Sequence, residues 1–166
     1  MNLKNITFIF PLIVVLFAWG CEAKIGDDCS TDSDCSSSGG RTCDKTLPGG
    51  YCTIKNCSRG DCPEGSRCIA FYPNWIVSNE CEPATEDNLK IADHTDDCTQ
   101  DEVCLSSGYC APLMFETRYC MQKCSSGGDC RDKYECISSE GINYTLMPDS
   151  QHNYSNVVQT EFCSPK

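Results

Sequence analysis

The stretch CSTDSDCSSSGGRTCDKTLPGGYC, residues 29–52, carries four cysteines, and its pattern returns in CTQDEVCLSSGYCAPLMFETRYC, residues 98–120. The cysteines that follow each stretch continue the agreement, so the chain runs through one eight-cysteine series twice. A repeated cysteine series indicates a duplicated disulfide unit. The first series is Cys29, Cys35, Cys43, Cys52, Cys57, Cys62, Cys68 and Cys81, and the second is Cys98, Cys104, Cys110, Cys120, Cys124, Cys130, Cys136 and Cys163.

The composition favours a disulfide scaffold over a large hydrophobic core. Seventeen of the 166 residues are cysteine, whereas Ile, Leu, Val and Phe supply only 19 of the 146 residues from Cys21 onward. Such a chain cannot bury enough apolar area by itself, and each bridge adds about 2–4 kcal/mol by restricting the unfolded chain. We therefore predict a small disulfide-rich fold with short β-hairpins, turns and little helix, formed in an oxidising, exported compartment.

The cysteine series also predicts the domain organisation. Residues 29–81 form unit one, residues 82–97 form an acidic linker without cysteine, and residues 98–163 form unit two. Short strands are expected around residues 51–54 and 67–71. Because the linker lacks cysteine, we expect eight bridges, each confined to its own unit.

Each unit divides further into two frames. A frame has three closely spaced cysteines and a trailing fourth, and frames begin at Cys29, Cys57, Cys98 and Cys124. Four cysteines can pair in three ways, so the connectivity is not fixed by the spacing.

The amino terminus has the features of a targeting segment. Residues 1–20 combine Lys4 with an apolar run and predict a signal peptide, followed by a short tether at residues 21–28. Cys21 is left over once the two units have taken sixteen cysteines. We favour lipidation of Cys21, because it lies where the apolar run ends. Ordinary cleavage after Gly20 or Ala23 is the alternative, and it would leave Cys21 as a free thiol or remove it.

Several phrases resemble a known family. CSTDSDC, PGGYCTIKNC, CPEGSRC and CMQKCSSGGDCRDKYEC are similar to the cysteine-rich repeat lipoproteins abundant in myxobacteria. Short patterns of this kind also occur in EGF-like, EB and Dickkopf-type modules. The resemblance implies a non-catalytic protein displayed at the outer membrane or cell surface through a lipid on Cys21. The chain departs from the family in residues 18–19 before Cys21 and in the 26-residue loop before Cys163.

Charge and residue types exclude several classes of function. The chain carries 13 basic and 24 acidic residues, a net charge of −11, which disfavours binding to nucleic acid or anionic lipid. Its two histidines, His94 and His152, fall in the linker and in the last loop, where no rigid shell would support catalysis. We expect no enzymatic activity, no cofactor and no metal site.

Aspartates cluster beside the first cysteine of each unit. Loop carboxylates spaced in this way can bind calcium, but aspartate is also a common turn former. We favour turn chemistry and keep calcium as the alternative. The residues are Asp27, Asp28, Asp32 and Asp34 in unit one, and Asp96, Asp97 and Asp101 in unit two.

An aromatic loop between Cys68 and Cys81 is the first candidate for binding. Phe71, Tyr72 and Trp75 could anchor a partner or form a local core, and the shortage of other apolar residues favours burial. The long loop at residues 137–162 is the second candidate.

These observations predict an exported, monomeric, non-enzymatic surface protein, held at the membrane by a lipid. Its expected roles are adhesion, recognition or envelope structure, with an unknown protein or carbohydrate as partner. The alternative is a freely secreted inhibitor or toxin-like effector that presents a stapled loop.

Overall fold

A computed structural model describes residues 22–73, 75, 79–82, 98–99, 101–105, 107–139, 144–146 and 160–166, with only the backbone for 144–146. The predicted signal peptide, Cys21, both histidines and residues 83–97 of the predicted linker lie outside the described residues.

The described residues form short strands with very little helix, as predicted. The helical elements are α1 (Asp32–Cys35) and the 3-10 turns η1 (Leu113–Phe115) and η2 (Gly127–Asp129). The strands are β1 (Thr42–Cys43), β2 (Cys52–Thr53), β3 (Ser66–Phe71), β4 (Glu102–Cys104), β5 (Cys110–Pro112), β6 (Thr117–Cys124), β7 (Tyr134–Ser138), β8 (Tyr144–Leu146) and β9 (Glu161–Pro165).

The largest sheet joins the two predicted units. Its five antiparallel strands run in the order β7-β9-β6-β3-β8, and β3 of unit one pairs with β6 of unit two over six residues. Two separate hairpins, β1-β2 and β4-β5, flank this sheet. The predicted strands around residues 51–54 and 67–71 correspond to β2 and β3 and are confirmed.

Strand β3, which lies between β6 and β8, is covered on both faces. Ile69 belongs to a core cluster that also contains Tyr51, Tyr134 and Phe162. Ala70 belongs to a second cluster, with Tyr72, Val103, Leu105 and Ala111. Because successive strand residues point to opposite faces, these neighbours bury the two sides of the sheet in different clusters.

Each frame forms its first bridge in the same way, between its first and third cysteines. These bridges are Cys29–Cys43, Cys57–Cys68, Cys98–Cys110 and Cys124–Cys136. The outer two frames also join their second cysteine to their own trailing cysteine, as Cys35–Cys52 and Cys130–Cys163.

The middle two frames exchange their trailing cysteines. Cys62 of the second frame bonds to Cys120 of the third, and Cys104 of the third bonds to Cys81 of the second. The prediction that every bridge stays within its own unit is therefore wrong. The physical reason is strand pairing: Cys68 in β3 faces Cys120 in β6, while Cys81 is hydrogen-bonded to Gly108 beside the β4-β5 hairpin.

A cation also links the two units. Arg131 lies over the rings of Tyr134 and Tyr51, 4.5 and 5.8 Å from their centres. Its Nη2 donates hydrogen bonds to the Pro48 and Gly50 carbonyls and to the Tyr134 hydroxyl. Burial raises the pKa of Tyr51 from 10.0 to about 12, so its hydroxyl keeps its proton further into the alkaline range.

Candidate interaction surface

The structure separates the three aromatic residues that the sequence singles out. Tyr72 is 2% exposed, and its hydroxyl donates to Glu116 Oε2 over 2.7 Å. Phe71 is half-buried and packs edge-on against Tyr119 and Phe162. Trp75, in contrast, is 76% exposed. The preference for burial is confirmed for Tyr72 and is wrong for Trp75.

The side chains that already fill the core explain why Trp75 is exposed to solvent. The largest fully buried side chains of the described part include Tyr51, Tyr134, Phe162 and Leu105, which come from both units. Nine of the buried residues in the described part are disulfide-bonded cysteines, and these fill space that aromatic rings would otherwise occupy. The loop therefore does not need Trp75 to cover its disulfides.

Trp75 belongs to an exposed apolar surface. We use the name apolar surface for Trp75, Leu113, Met114 and Phe115, which are the exposed large hydrophobic residues of the described part. The Trp75 and Phe115 rings meet edge to face, with centres 5.5 Å apart. Met114 is 81% exposed, more than any of the others. Since apolar side chains that cluster in contact with solvent commonly mark interaction sites, this surface is the best candidate.

Hydrogen bonds and an ion pair fix both ends of the turn that carries most of the apolar surface. Residues 113–115 form η1 between β5 and β6, and the Leu113 amide donates to the Asp101 carbonyl over 2.9 Å. At the other end of the turn, Glu116 accepts the Tyr72 hydrogen bond and pairs with Arg118 Nε at 3.1 Å. These contacts tie the turn to the second core cluster, so the exposed side chains project from an ordered support.

The apolar surface and the predicted tether, whose described residues are 22–28, lie at opposite ends of the β3-β6 pair. Gly26 packs so closely on Gln122 that a Cβ there would lie 2.3 Å from Gln122 Oε1, and Gln122 pairs with Ser66. The other end of the pairing is Phe71 with Thr117, directly after η1. Five strand residues at roughly 3.4 Å each separate the two ends by about 17 Å.

Residues of the predicted tether are packed onto unit one. Ile25 is buried in the main cluster, and the Gly26 amide donates to the Cys52 carbonyl over 3.0 Å. Hydrogen bonds from Ser36 and Ser38, together with Arg41, lower the pKa of Glu22. The chain that follows Cys21 is therefore held against the body of the protein.

The aspartates beside the cysteines take part in turns. Asp34 Oδ2 accepts from the Ser30 and Thr31 amides, and these bonds lower the pKa of Asp34. Asp32 Oδ1 accepts from the Cys43 amide, and Asp27 Oδ2 from the Lys24 amide. These contacts support turn chemistry over calcium binding at this cluster.

The same capping contact recurs in all four frames. An acidic residue one or two positions before the second cysteine accepts from the amide that follows the first cysteine. Asp61 accepts from Ser58, Glu102 from Thr99, and Asp129 from Ser125. The Asp-Cys pattern of three frames, replaced by Glu102-Val103-Cys104 in the third, thus has a structural role.

A polar cavity of about 860 Å³ adjoins the amino-terminal segment. Glu22, Arg41 and Asp129 line it, but each is engaged by neighbouring groups of the protein. In the described part of the chain, the groups of three or more metal-type ligand atoms consist only of disulfide-bonded cysteines.

Sequence reasoning found Trp75 but missed its neighbours. Pro112, Leu113, Met114 and Phe115 form an uninterrupted apolar run in the cysteine-free interval between Cys110 and Cys120. The chain has few apolar residues elsewhere, so this run could have predicted that residues 113–115 join Trp75 in the apolar surface.

Known proteins give no guide to function, since no family model, curated protein or solved structure matches the chain. Eight disulfides indicate an extracellular or exported protein. Among the residues that the structure describes, no helix has the length and apolar character needed to cross a membrane.

Proposed function

We propose that this chain is an exported, non-enzymatic surface protein that is held at a membrane by a lipid on Cys21 and recognises a protein or carbohydrate through the apolar surface. Adhesion and recognition are the roles that fit best. Support comes chiefly from one observation: the apolar surface lies at the end of the β3-β6 pair opposite the segment that follows Cys21. An anchor there would leave Trp75 and Met114 pointing away from the membrane.

The chemistry of the surface suits recognition. Trp and Met contribute large contact areas, and energetically dominant interface residues are enriched in Trp. The ion pair between Glu116 and Arg118 neutralises charge beside the turn. A partner can therefore cover the apolar side chains without burying an unpaired charge.

A competition experiment tests the recognition half of the proposal. Labelled protein that lacks the leader and Cys21 should bind saturably to cells of the producing organism, and unlabelled wild type should displace it. A double variant, Trp75→Ala with Met114→Ser, should compete at least tenfold less well. Glu64→Ser, an exposed substitution near the amino-terminal end, is the matched control and should compete normally. Equal competition by the double variant would refute recognition through this surface.

Fractionation tests the anchor. Wild type should sediment with membranes, since several acyl chains bind a bilayer stably, and Cys21→Ser should move it to the soluble fraction. A wild-type protein that is already soluble contradicts the anchor and favours the secreted inhibitor or effector instead.

A further inference from the structure

A small aromatic cavity lies between the first hairpin and the central sheet. Its volume is about 160 Å³, and Tyr51, Phe71 and Tyr119 line it together with Leu47 and Met121. This is several times the roughly 30 Å³ of one water and below the range of about 300–1,000 Å³ for drug-sized sites. The cavity therefore suits a single small group.

The aromatic walls favour a cation. Tyr51 is buried, whereas Phe71 and Tyr119 are half-buried and meet edge to face, with ring centres 6.1 Å apart. The faces of aromatic rings attract positive charge within about 6 Å of their centres. The same attraction already acts on Tyr51 of the cavity lining, since Arg131 lies over the rings of Tyr51 and Tyr134.

A buried carboxylate completes the lining. Asp44 is the charged residue of the cavity and is only 8% exposed. Its Oδ1 accepts from the Thr46 amide at 3.0 Å and from the Thr46 hydroxyl at 2.6 Å. Within the described residues, Asp44 Oδ2 accepts no hydrogen bond and the carboxylate forms no ion pair. A buried charge without an opposite charge beside it is costly, so a bound cation would relieve this cost.

We propose that this cavity binds a trimethylammonium group. Such a group carries a positive charge but no N–H donor, and its methyl groups are apolar. The aromatic faces match the methyl groups and the Asp44 carboxylate matches the charge. A primary ammonium needs several acceptors to replace its hydration, and Asp44 Oδ2 would supply only one.

Titration calorimetry with choline and with 3,3-dimethylbutan-1-ol tests the proposal directly. The alcohol has the same shape as choline but carries no charge. Choline should bind the oxidised protein about tenfold more tightly than the alcohol, because the alcohol lacks the cation–π and carboxylate interactions. Equal affinities, or no heat of binding with choline, would overturn the proposal.

Variants of the cavity residues test whether choline binds in the cavity. Asp44→Asn keeps the acceptor for Thr46 but loses the charge, and Tyr119→Leu removes one aromatic face. Each should weaken choline binding about tenfold and leave binding of the alcohol unchanged, whereas Tyr119→Phe should bind like wild type. Asp132→Asn, at an exposed carboxylate outside the cavity, is the matched control. Near-ultraviolet circular dichroism verifies that each variant is folded, and unaltered choline binding by folded Asp44→Asn would refute the role of the carboxylate.

The natural source of the group is decided by three further probes. Sedimentation with phosphatidylcholine vesicles would assign a lipid headgroup, and binding of a trimethyl-lysine peptide over its unmodified counterpart would assign a methylated protein. Binding of choline alone would assign a free quaternary amine. Trp75→Ala with Met114→Ser should leave choline binding unchanged, so failure of this proposal and failure of the proposed recognition function are distinguishable.

Discussion

Residues only three positions apart have opposite environments in the aromatic loop. Tyr72 is buried in a core cluster and donates a hydrogen bond to Glu116, while Trp75 lies on the surface against Phe115. Sequence alone predicts that such a loop is rich in contacts. It cannot decide which ring is buried, because that depends on the space left by residues such as Leu105 and Ala111, which come from the other unit.

The exposure of Trp75 predicts its spectroscopic behaviour. In a chain that begins at Glu22, Trp75 is the only tryptophan. Its emission should be red-shifted and readily quenched by acrylamide, and Trp75→Ala should change the free energy of unfolding by less than about 1 kcal/mol. Phe162→Ala, at a fully buried ring, is the contrasting control and should cost roughly 3–5 kcal/mol. Blue-shifted, protected emission would show that Trp75 is buried.

Tyr51 predicts a loss of stability at alkaline pH. Its folded pKa is raised from 10.0 to about 12, so between these values the native state binds more protons than the unfolded state. The stabilisation is complete below pH 10 and is lost as pH rises to about 12, by about 2 to 3 kcal/mol. Denaturant unfolding with thiols blocked should show this fall in wild type. The fall should be much smaller in Tyr51→Phe, and the control Tyr109→Phe should retain it. An unchanged fall in Tyr51→Phe would contradict the assignment.

At the scale of elements, the frame is the repeating part. The positions of its cysteines, its acidic residue before the second cysteine and its turn glycines can be read from the sequence, whereas the pairing of its first and third cysteines cannot. Gly50 illustrates the turns, since its φ is +70° and a Cβ there would lie 2.0 Å from the Cys29 carbonyl oxygen. Local spacing determines these features because each involves residues close together in the chain.

Partner strands could not be predicted in the same way. β3 pairs with β6, some fifty residues further along the chain, and not with a neighbouring hairpin strand. Pairing over such a distance depends on how side chains from both units pack, which spacing does not encode. The exchanged bridges follow from this pairing and were unpredictable for the same reason.

The capping carboxylates predict how the elements respond to acid. The Ser125 and Ser126 amides donate to Asp129 and lower its pKa from the ordinary 3.8. A depressed folded pKa gives stabilisation that is complete above the ordinary value and is lost as pH falls through the lowered one.

Asp129→Asn keeps an acceptor but removes the charge, so its melting temperature should fall less than that of wild type between pH 7 and pH 2. Asp132→Asn, where the exposed carboxylate accepts no hydrogen bond from the described residues, is the control and should fall as wild type does. Identical acid responses of wild type and Asp129→Asn would exclude the capping role.

For the whole molecule, crosslinks and packing give one connected body where the sequence predicts two units. The bridges Cys62–Cys120 and Cys81–Cys104, the β3-β6 pairing and the contacts of Arg131 with residues 48–51 all cross between the units. This connection supports both candidate sites. The apolar surface combines Trp75 of unit one with residues 113–115, and the aromatic cavity combines Tyr51 and Asp44 with Tyr119.

Cleavage of the predicted linker under non-reducing conditions tests this central claim most directly. A protease site placed within residues 84–96 would cut the chain between Cys81 and Cys98. The exchanged bridges predict that the two pieces stay together in denaturant, with the mass of the whole chain plus one water, and separate only after reduction. Mapping should then recover peptides that join Cys62 to Cys120 and Cys81 to Cys104. Separation of the two pieces in denaturant before reduction would contradict the account.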